Sequence, residues 1–228
     1  TIYFIISILG LIFLEEILRL FGASNTVMPY AKDYMSIILL GGVFQGIAFT
    51  MNNFIRADGN PKIAMGTMLI GAILNIILDY IFILKFDKGI KGAAIATVIS
   101  QIVSAIWVLR YFFSGKSMLK VRSKNFKLRL SIVKNIIAIG SAPFAMQIAS
   151  SVLNVIMLNS LGEHGGDLAI SAISAINSIS MLILMPVFGI NQGAQPIIGY
   201  NYGAKNFDRV KQTLKYAILA ATTVVTSG

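Results

Sequence analysis

The stretch NPKIAMGTMLIGAILNIILDYIFIL, residues 60–84, decides how the chain is read. It is a run of helix-forming apolar residues, long enough to cross the hydrocarbon core of a bilayer at 1.5 Å per residue. Asn60 followed by Pro61 predicts a sharp helix start, with Asn60 at the N-cap and proline at the first helical position. One carboxylate, Asp79, lies deep in the run, and Asn75 precedes it by four residues, so the two share a helical face. A carboxylate at that depth is costly to keep and marks ion or substrate pathways. Two readings follow. Asp79 with Asn75 forms a cation or proton site, since a carboxylate and an amide oxygen suit Na⁺ and a carboxyl in a low dielectric can take a proton. Alternatively, Asp79 is hydrogen-bonded across helices for packing. The cost of the acid favours the first.

The rest of the sequence houses this helix. Of 228 residues, 56% are hydrophobic and 12% charged, with mean hydropathy +0.79. A soluble domain carries roughly a quarter charged residues. Here the apolar residues fall in seven blocks, near 2–14, 31–54, 63–86, 90–113, 132–161, 168–200 and from 210 onward. The fold class is therefore an all-α polytopic membrane protein; the ten-residue alternating segments of an outer-membrane barrel are absent. No cysteine is present, which excludes disulfides and cysteine-held metals. The net charge of +10 does not indicate nucleic acid, because the bases gather between the apolar blocks. Fourteen of the nineteen Lys and Arg fall around 56–62, 110–134 and 205–215, which places that side in the cytoplasm. The chain starts and stops inside apolar runs, so it is expected to be incomplete.

The longest polar interval, residues 114–131, is strongly basic and reads as a connector between two bundles, 1–113 and 132–228. Its interspersed apolar residues would also let it lie on a lipid surface. In the sixth block, Pro186 and Gly189 predict a kink or hinge. Asn191 and Gln192 beside them read either as a cavity wall or as close helix packing. Gln45 in the second block and Gln147, Ser151 and Asn154 in the fifth are further candidate cavity residues. Thr97, Gln101 and Ser104 share a face of the fourth block and read as interhelical contacts. Trp107 and Tyr111 read as interfacial anchors, Glu15, Glu16 and Arg19 as a locally paired helix end. No nucleophile triad, phosphate loop or metal-ligand cluster occurs, so enzymatic chemistry has no residue basis, and no cofactor is expected.

Three strings carry a resemblance. RADGNPKIAM (56–65), NIILDYIFI (75–83) and GIKGAAIAT (89–97) resemble spans four to six of the multidrug and toxic compound extrusion (MATE) transporters. MPVFGINQGAQPIIGYNYGAKNFDRVKQTLK (185–215) is similar to the eighth span and the following loop, particularly in MepA-like bacterial members. The resemblance implies a two-lobe helical bundle of which the chain holds about spans three to nine of twelve. It implies a multidrug efflux antiporter driven by Na⁺ or H⁺, acting on small, mostly cationic amphipaths from a bacterial inner membrane, among membrane lipids and as a monomer. Some members hold a cation with an aspartate on span one, an Asn and an Asp on span five and a Thr on span six. Asn75, Asp79 and Thr97 match the last three. Other members use a glutamate on span seven; Ser151 stands there here. A flippase for lipids or lipid-linked oligosaccharides is the runner-up; it would be favoured by basic residues inside the cavity, and the spans as read carry none. A channel or scaffold membrane protein is a further alternative, with no repeated pore filter in its support.

Overall fold

The computed structural model describes residues 2–115, 117–120 and 129–227. Among them seven α-helices follow one another: α1 (Ile2–Ile12), α2 (Leu14–Leu20), α3 (Met28–Ala57), α4 (Pro61–Asp79), α5 (Gly89–Phe113), α6 (Leu130–Gly203) and α7 (Phe207–Ser227). A π-helical segment, Tyr80–Lys85, continues α4. No strand occurs among the described residues. By length and composition α3, α4 with its π segment, α5 and α6 can each cross a membrane. Much of the connector expected at 114–131, namely 116 and 121–128, lies outside the described residues.

The start of α4 is where the sequence places it, with Asn60 at the N-cap and Pro61 next. The Asn60 side chain does not cap the helix, however. It donates to the Asp58 carbonyl at 3.2 Å and to the Tyr111 hydroxyl at 2.8 Å, tying the α3–α4 turn to α5. The preceding helix closes with Gly59 at φ +82°, whose N–H bonds to the Arg56 carbonyl while Asn60 N–H reaches Ile55. That left-handed closure is cheap only for glycine. At the other end of α4 the helix changes pitch directly after Asp79, so the expected uniform helix to residue 86 is not formed. The first turn of α5 packs there so closely that a Cβ on Gly92 would lie 2.9 Å from the Phe82 carbonyl oxygen.

Helix α5 is the central element, flanked by α3 on one side and α4 on the other. Small residues permit the approach: Gly41 of α3 sits against Val98, and Gly71 of α4 against Ser104. Toward the end assigned to the cytoplasm, Ile55, Ala64, Val108, Tyr111 and Phe112 close into a buried cluster. Within it lies a polar hub. The Asp58 carboxylate, only 4% exposed, accepts from the Tyr111 hydroxyl at 2.7 Å and from the Met118 amide at 3.2 Å. The tyrosine hydrogen bond leads the effects that hold its carboxyl below the usual range. Tyr111 is thus a buried donor, 6% exposed, and not the interfacial anchor expected of it; Trp107 is exposed.

The loop expected between the fifth and sixth blocks shrinks to one residue. Helical geometry runs through 130–203 except at Gly166, with φ 63° and ψ −162°. The two lengths either side each exceed about 50 Å, ample for a span of about 30 Å. Pro143, Pro186 and Pro196 lie inside α6 with helical dihedrals. The end of α6 is closed by Lys205 in left-handed conformation, φ 58°, with Gly203 the last helical residue. Arg209, Lys211 and Lys215, expected in a loop, lie on α7.

Two polar bridges join α1–α5 to α6. At the end opposite the one assigned to the cytoplasm the Asp167 carboxylate accepts from Ser24 at 3.2 Å and Thr26 at 3.1 Å, and Asn159 donates to the Leu20 carbonyl at 2.8 Å. At the end assigned to the cytoplasm Arg56 donates to the Gln192 side-chain oxygen at 2.6 Å. At the outer rim Glu15 accepts from both Lys32 and Arg19, which hold its carboxyl below the usual range, Lys32 foremost. Lys91 pairs with Asp33 at 3.2 Å. The Arg19–Glu15 pair is the local pairing expected of that helix end.

Candidate functional site

A cavity of about 330 Å³ opens between α3, α4 and α5. Three helical faces build it. Gln45, Phe49, Asn52 and Arg56 recur at helical spacing along α3. From α4 come Thr67, Met68, Gly71 and Asn75; from α5, Thr97, Ser100, Gln101 and Ser104. The polar stripe of α5, expected as interhelical contact, therefore lines a space. Gly71 and Ala72 leave room because they carry almost no side chain.

Thr97 donates to the Ala93 carbonyl at 2.9 Å, which frees its oxygen to accept from Asn75 Nδ2 at 3.5 Å. The structure thus joins two of the three residues expected at a cation site. Asp79 lies one turn further along α4, at the junction with the π segment. Its Oδ1 is buried and has no hydrogen-bond partner. Such an oxygen is rare in a folded protein, because desolvation without a partner is costly. Asp79 is not among the residues lining the cavity. Among the described residues no group of three His, Cys, Asp or Glu converges as a metal site.

Asn52, which the sequence reading passed over, is 6% exposed. Its Nδ2 donates to the Ala64 carbonyl at 2.8 Å and to Thr67, which fixes the amide orientation. The remaining Oδ1 is buried and unpartnered, as is Gln101 Oε1. Arg56 is likewise not legible from the sequence, where a base at the end of an apolar block reads as a loop residue. It belongs to α3, lines the cavity, and contacts Gln192 and the Met68 sulfur, the latter at 3.1 Å. The expectation of a cavity free of basic residues is corrected accordingly. The spacing 45–49–52–56 on one helical face is the signal that could have revealed both.

The other candidates divide. Gln45 lines the cavity, and Gln192 reaches it through Arg56. Gln147, Asn154 and Asn191 are exposed on α6 and Ser151 is half-buried; none lines the cavity. Asn154 donates to the Ser150 carbonyl of its own helix. Gly189 keeps helical geometry like its neighbour Pro186.

Helices long and apolar enough to cross a membrane, small-residue contacts between them, a largely apolar cavity dotted with amide and hydroxyl groups and an orphaned acid at a break in helical geometry define a multi-pass helical membrane protein. Its family follows from comparison: residues 1–81 and 143–226 match the sequence model of MatE, and the chain belongs to that family. It is 30% identical over 216 residues to the multidrug export protein MepA of Staphylococcus aureus (strain bovine RF122 / ET3-1), covering 95% of this chain and 48% of that protein. Its structure is similar to that of the MATE multidrug transporter DinF-BH, with TM-score 0.88 and 38% identity over 98% of this chain and 51% of that one. It also resembles an outward-facing multidrug resistance MATE family transporter of the MOP superfamily, with TM-score 0.85 and 26% identity over 98% of this chain and 50% of that one. The chain spans about half the length of these relatives.

Proposed function

We propose that the full-length protein is a cation-coupled multidrug efflux antiporter working by alternating access in a bacterial cell membrane. It acts as a monomer of two lobes, 1–113 and 132–228 with their missing parts, joined by the connector at 114–131. The observation that carries this is the buried, unpartnered Asp79 Oδ1, one helical turn from the Asn75–Thr97 pair. A buried carboxylate oxygen with no protein partner is a free acceptor for a coupling cation, Na⁺ or H⁺, and binding of either changes the local charge by one. Coupling requires that Asp79 exchange its ion on opposite sides in the two states, so that ion binding biases the equilibrium between them. The coupling ion is the only accessory; no cofactor is needed.

The cavity between α3, α4 and α5 suits a small organic amphipath, since apolar walls alternate with a few amide and hydroxyl groups. Gln45 and Gln192 stand at or beside it. Gln147, Ser151, Asn154 and Asn191 on α6 supply a second wall as the lobes rock, with Pro186 and Gly189 as the flexible point. The names of the relatives, a multidrug export protein and a multidrug transporter, support this substrate class.

The test is efflux of a cationic dye from proteoliposomes holding the full-length protein, under a Na⁺ gradient alone and a pH gradient alone. Efflux under one gradient is expected; efflux under neither sinks the proposal. A second reading, a flippase for lipids or lipid-linked oligosaccharides, draws on Arg56 in the cavity wall. Scrambling of fluorescent lipid without dye efflux would favour it.

A further inference from the structure

The cavity lining contains one formal charge, and it is positive. All nine carboxylates of the chain belong to described residues. None pairs with Arg56; the ion pairs found among the described residues are Arg19–Glu15, Lys32–Glu15 and Lys91–Asp33. The two contacts of its guanidinium are neutral, the Gln192 amide oxygen and the Met68 thioether. A guanidinium carries five donors in a planar fork that fits a carboxylate or phosphate in bidentate fashion. Half-buried beside Met68, Phe49 and Val108, it lies in a medium where an anion would be held more strongly than in water.

We infer that Arg56 is a specificity-determining residue that binds the anionic oxygen group, carboxylate or phosphate, of an amphipathic substrate lying in the α3–α4–α5 cavity. The inference rests on the efflux reading above and sharpens its substrate class toward zwitterionic and anionic amphipaths. An anion at Arg56 competes with the Gln192 oxygen, a neutral acceptor and the weaker partner. Binding therefore weakens the inner bridge between α3 and α6, so that the substrate itself loosens the contact that joins them on that side.

A pair of dyes isolates the effect: rhodamine B, with a free carboxylate, and its ethyl ester, with the same cationic ring system. Binding of each to the purified full-length protein in detergent is read by fluorescence polarisation. The acid should bind about tenfold more tightly than the ester, the ratio expected of one charge-assisted hydrogen-bonded contact. Arg56→Gln should bring the two affinities within about twofold, and Arg56→Lys should retain part of the difference. Should Arg56→Gln fail to fold, Gln192→Ala reads the same contact from the other side and should widen the ratio. An equal affinity of the wild type for acid and ester overturns the inference, as does a ratio that survives Arg56→Gln. A competition arm separates the sources of the anion. Displacement of rhodamine B by phosphatidylglycerol but not phosphatidylcholine supports a lipid headgroup at Arg56, and absence of displacement by either supports a soluble amphipath. Efflux of both dyes without preference sinks this inference alone, whereas transport of neither removes the efflux reading beneath it.

Discussion

Replacing Tyr111 by Phe removes one oxygen atom from the buried hub at the inner end of α5. That oxygen donates to Asp58 at 2.7 Å and accepts from Asn60 at 2.8 Å. The first bond involves a charged acceptor that is 4% exposed, and such bonds contribute about 1.5–3 kcal/mol. Asn60 retains a second acceptor, the Asp58 carbonyl, so the loss there adds about 0.5 kcal/mol. Asp58 keeps the Met118 amide, which limits the damage. The sum is a loss of about 2–3 kcal/mol, with little change in core volume. Reversible unfolding of the full-length protein in mixed micelles would measure it. Pairing Tyr111→Phe with Asp58→Asn should show a coupling above about 1 kcal/mol, because each change removes the same bond. The pH dependence follows from the depressed Asp58 carboxyl. A carboxyl whose folded value lies below its unfolded value of about 3.9 stabilises fully above that pH and loses its contribution as pH falls through the folded value. Tyr111→Phe should flatten that acid-side slope. A change below about 0.5 kcal/mol with no coupling would refute the reasoning.

Other perturbations test other joints. Asp79→Asn should leave insertion and folding intact while abolishing gradient-driven efflux in proteoliposomes; full transport by this variant would remove Asp79 from the coupling role. Gly41→Leu forces a side chain into Val98 where α3 and α5 meet and should cost about 1–3 kcal/mol, measured in the same unfolding assay. The pair Thr26→Cys with Asp167→Cys replaces side chains whose oxygens are 3.1 Å apart. A short bifunctional thiol reagent should join them in high yield, visible as a mobility shift after cleavage of the connector; failure to react would contradict the outer bridge.

How much of this was legible beforehand depends on the range of the interaction. Hydropathy and the 3.6-residue period revealed seven apolar segments, and the N-cap of α4 fell on Asn60, because these are properties of contiguous residues. The same period put Asn75 and Asp79 on one face. It could not show that α4 changes pitch after Asp79, since that change accompanies the close approach of Gly92 on another helix. Nor could it separate a polar stripe that packs from one that lines a space. Thr97, Gln101 and Ser104 border a cavity only because Gly71 and Ala72 of α4 lie opposite.

Charged and aromatic residues at helix ends are ambiguous for a similar reason. Arg56 and Tyr111 stand near helix ends, where bases and aromatics usually meet water and headgroups. Their directions are set by which face of α3 and α5 is turned inward. That in turn depends on small residues, Gly41 and Gly71, letting three helices close on one another. The sequence by itself determined a helical membrane protein, the apolar segments that form its helices and one costly acid, because lipid leaves a backbone almost no choice but to satisfy its own hydrogen bonds in helices. Only the tertiary structure decided that Asp58 is a buried hub, that Asn52 and Arg56 face a common cavity, and that Arg56 reaches Gln192 across 136 positions of sequence. Those are contacts between faces of different helices, and a linear pattern carries the faces but not their pairing.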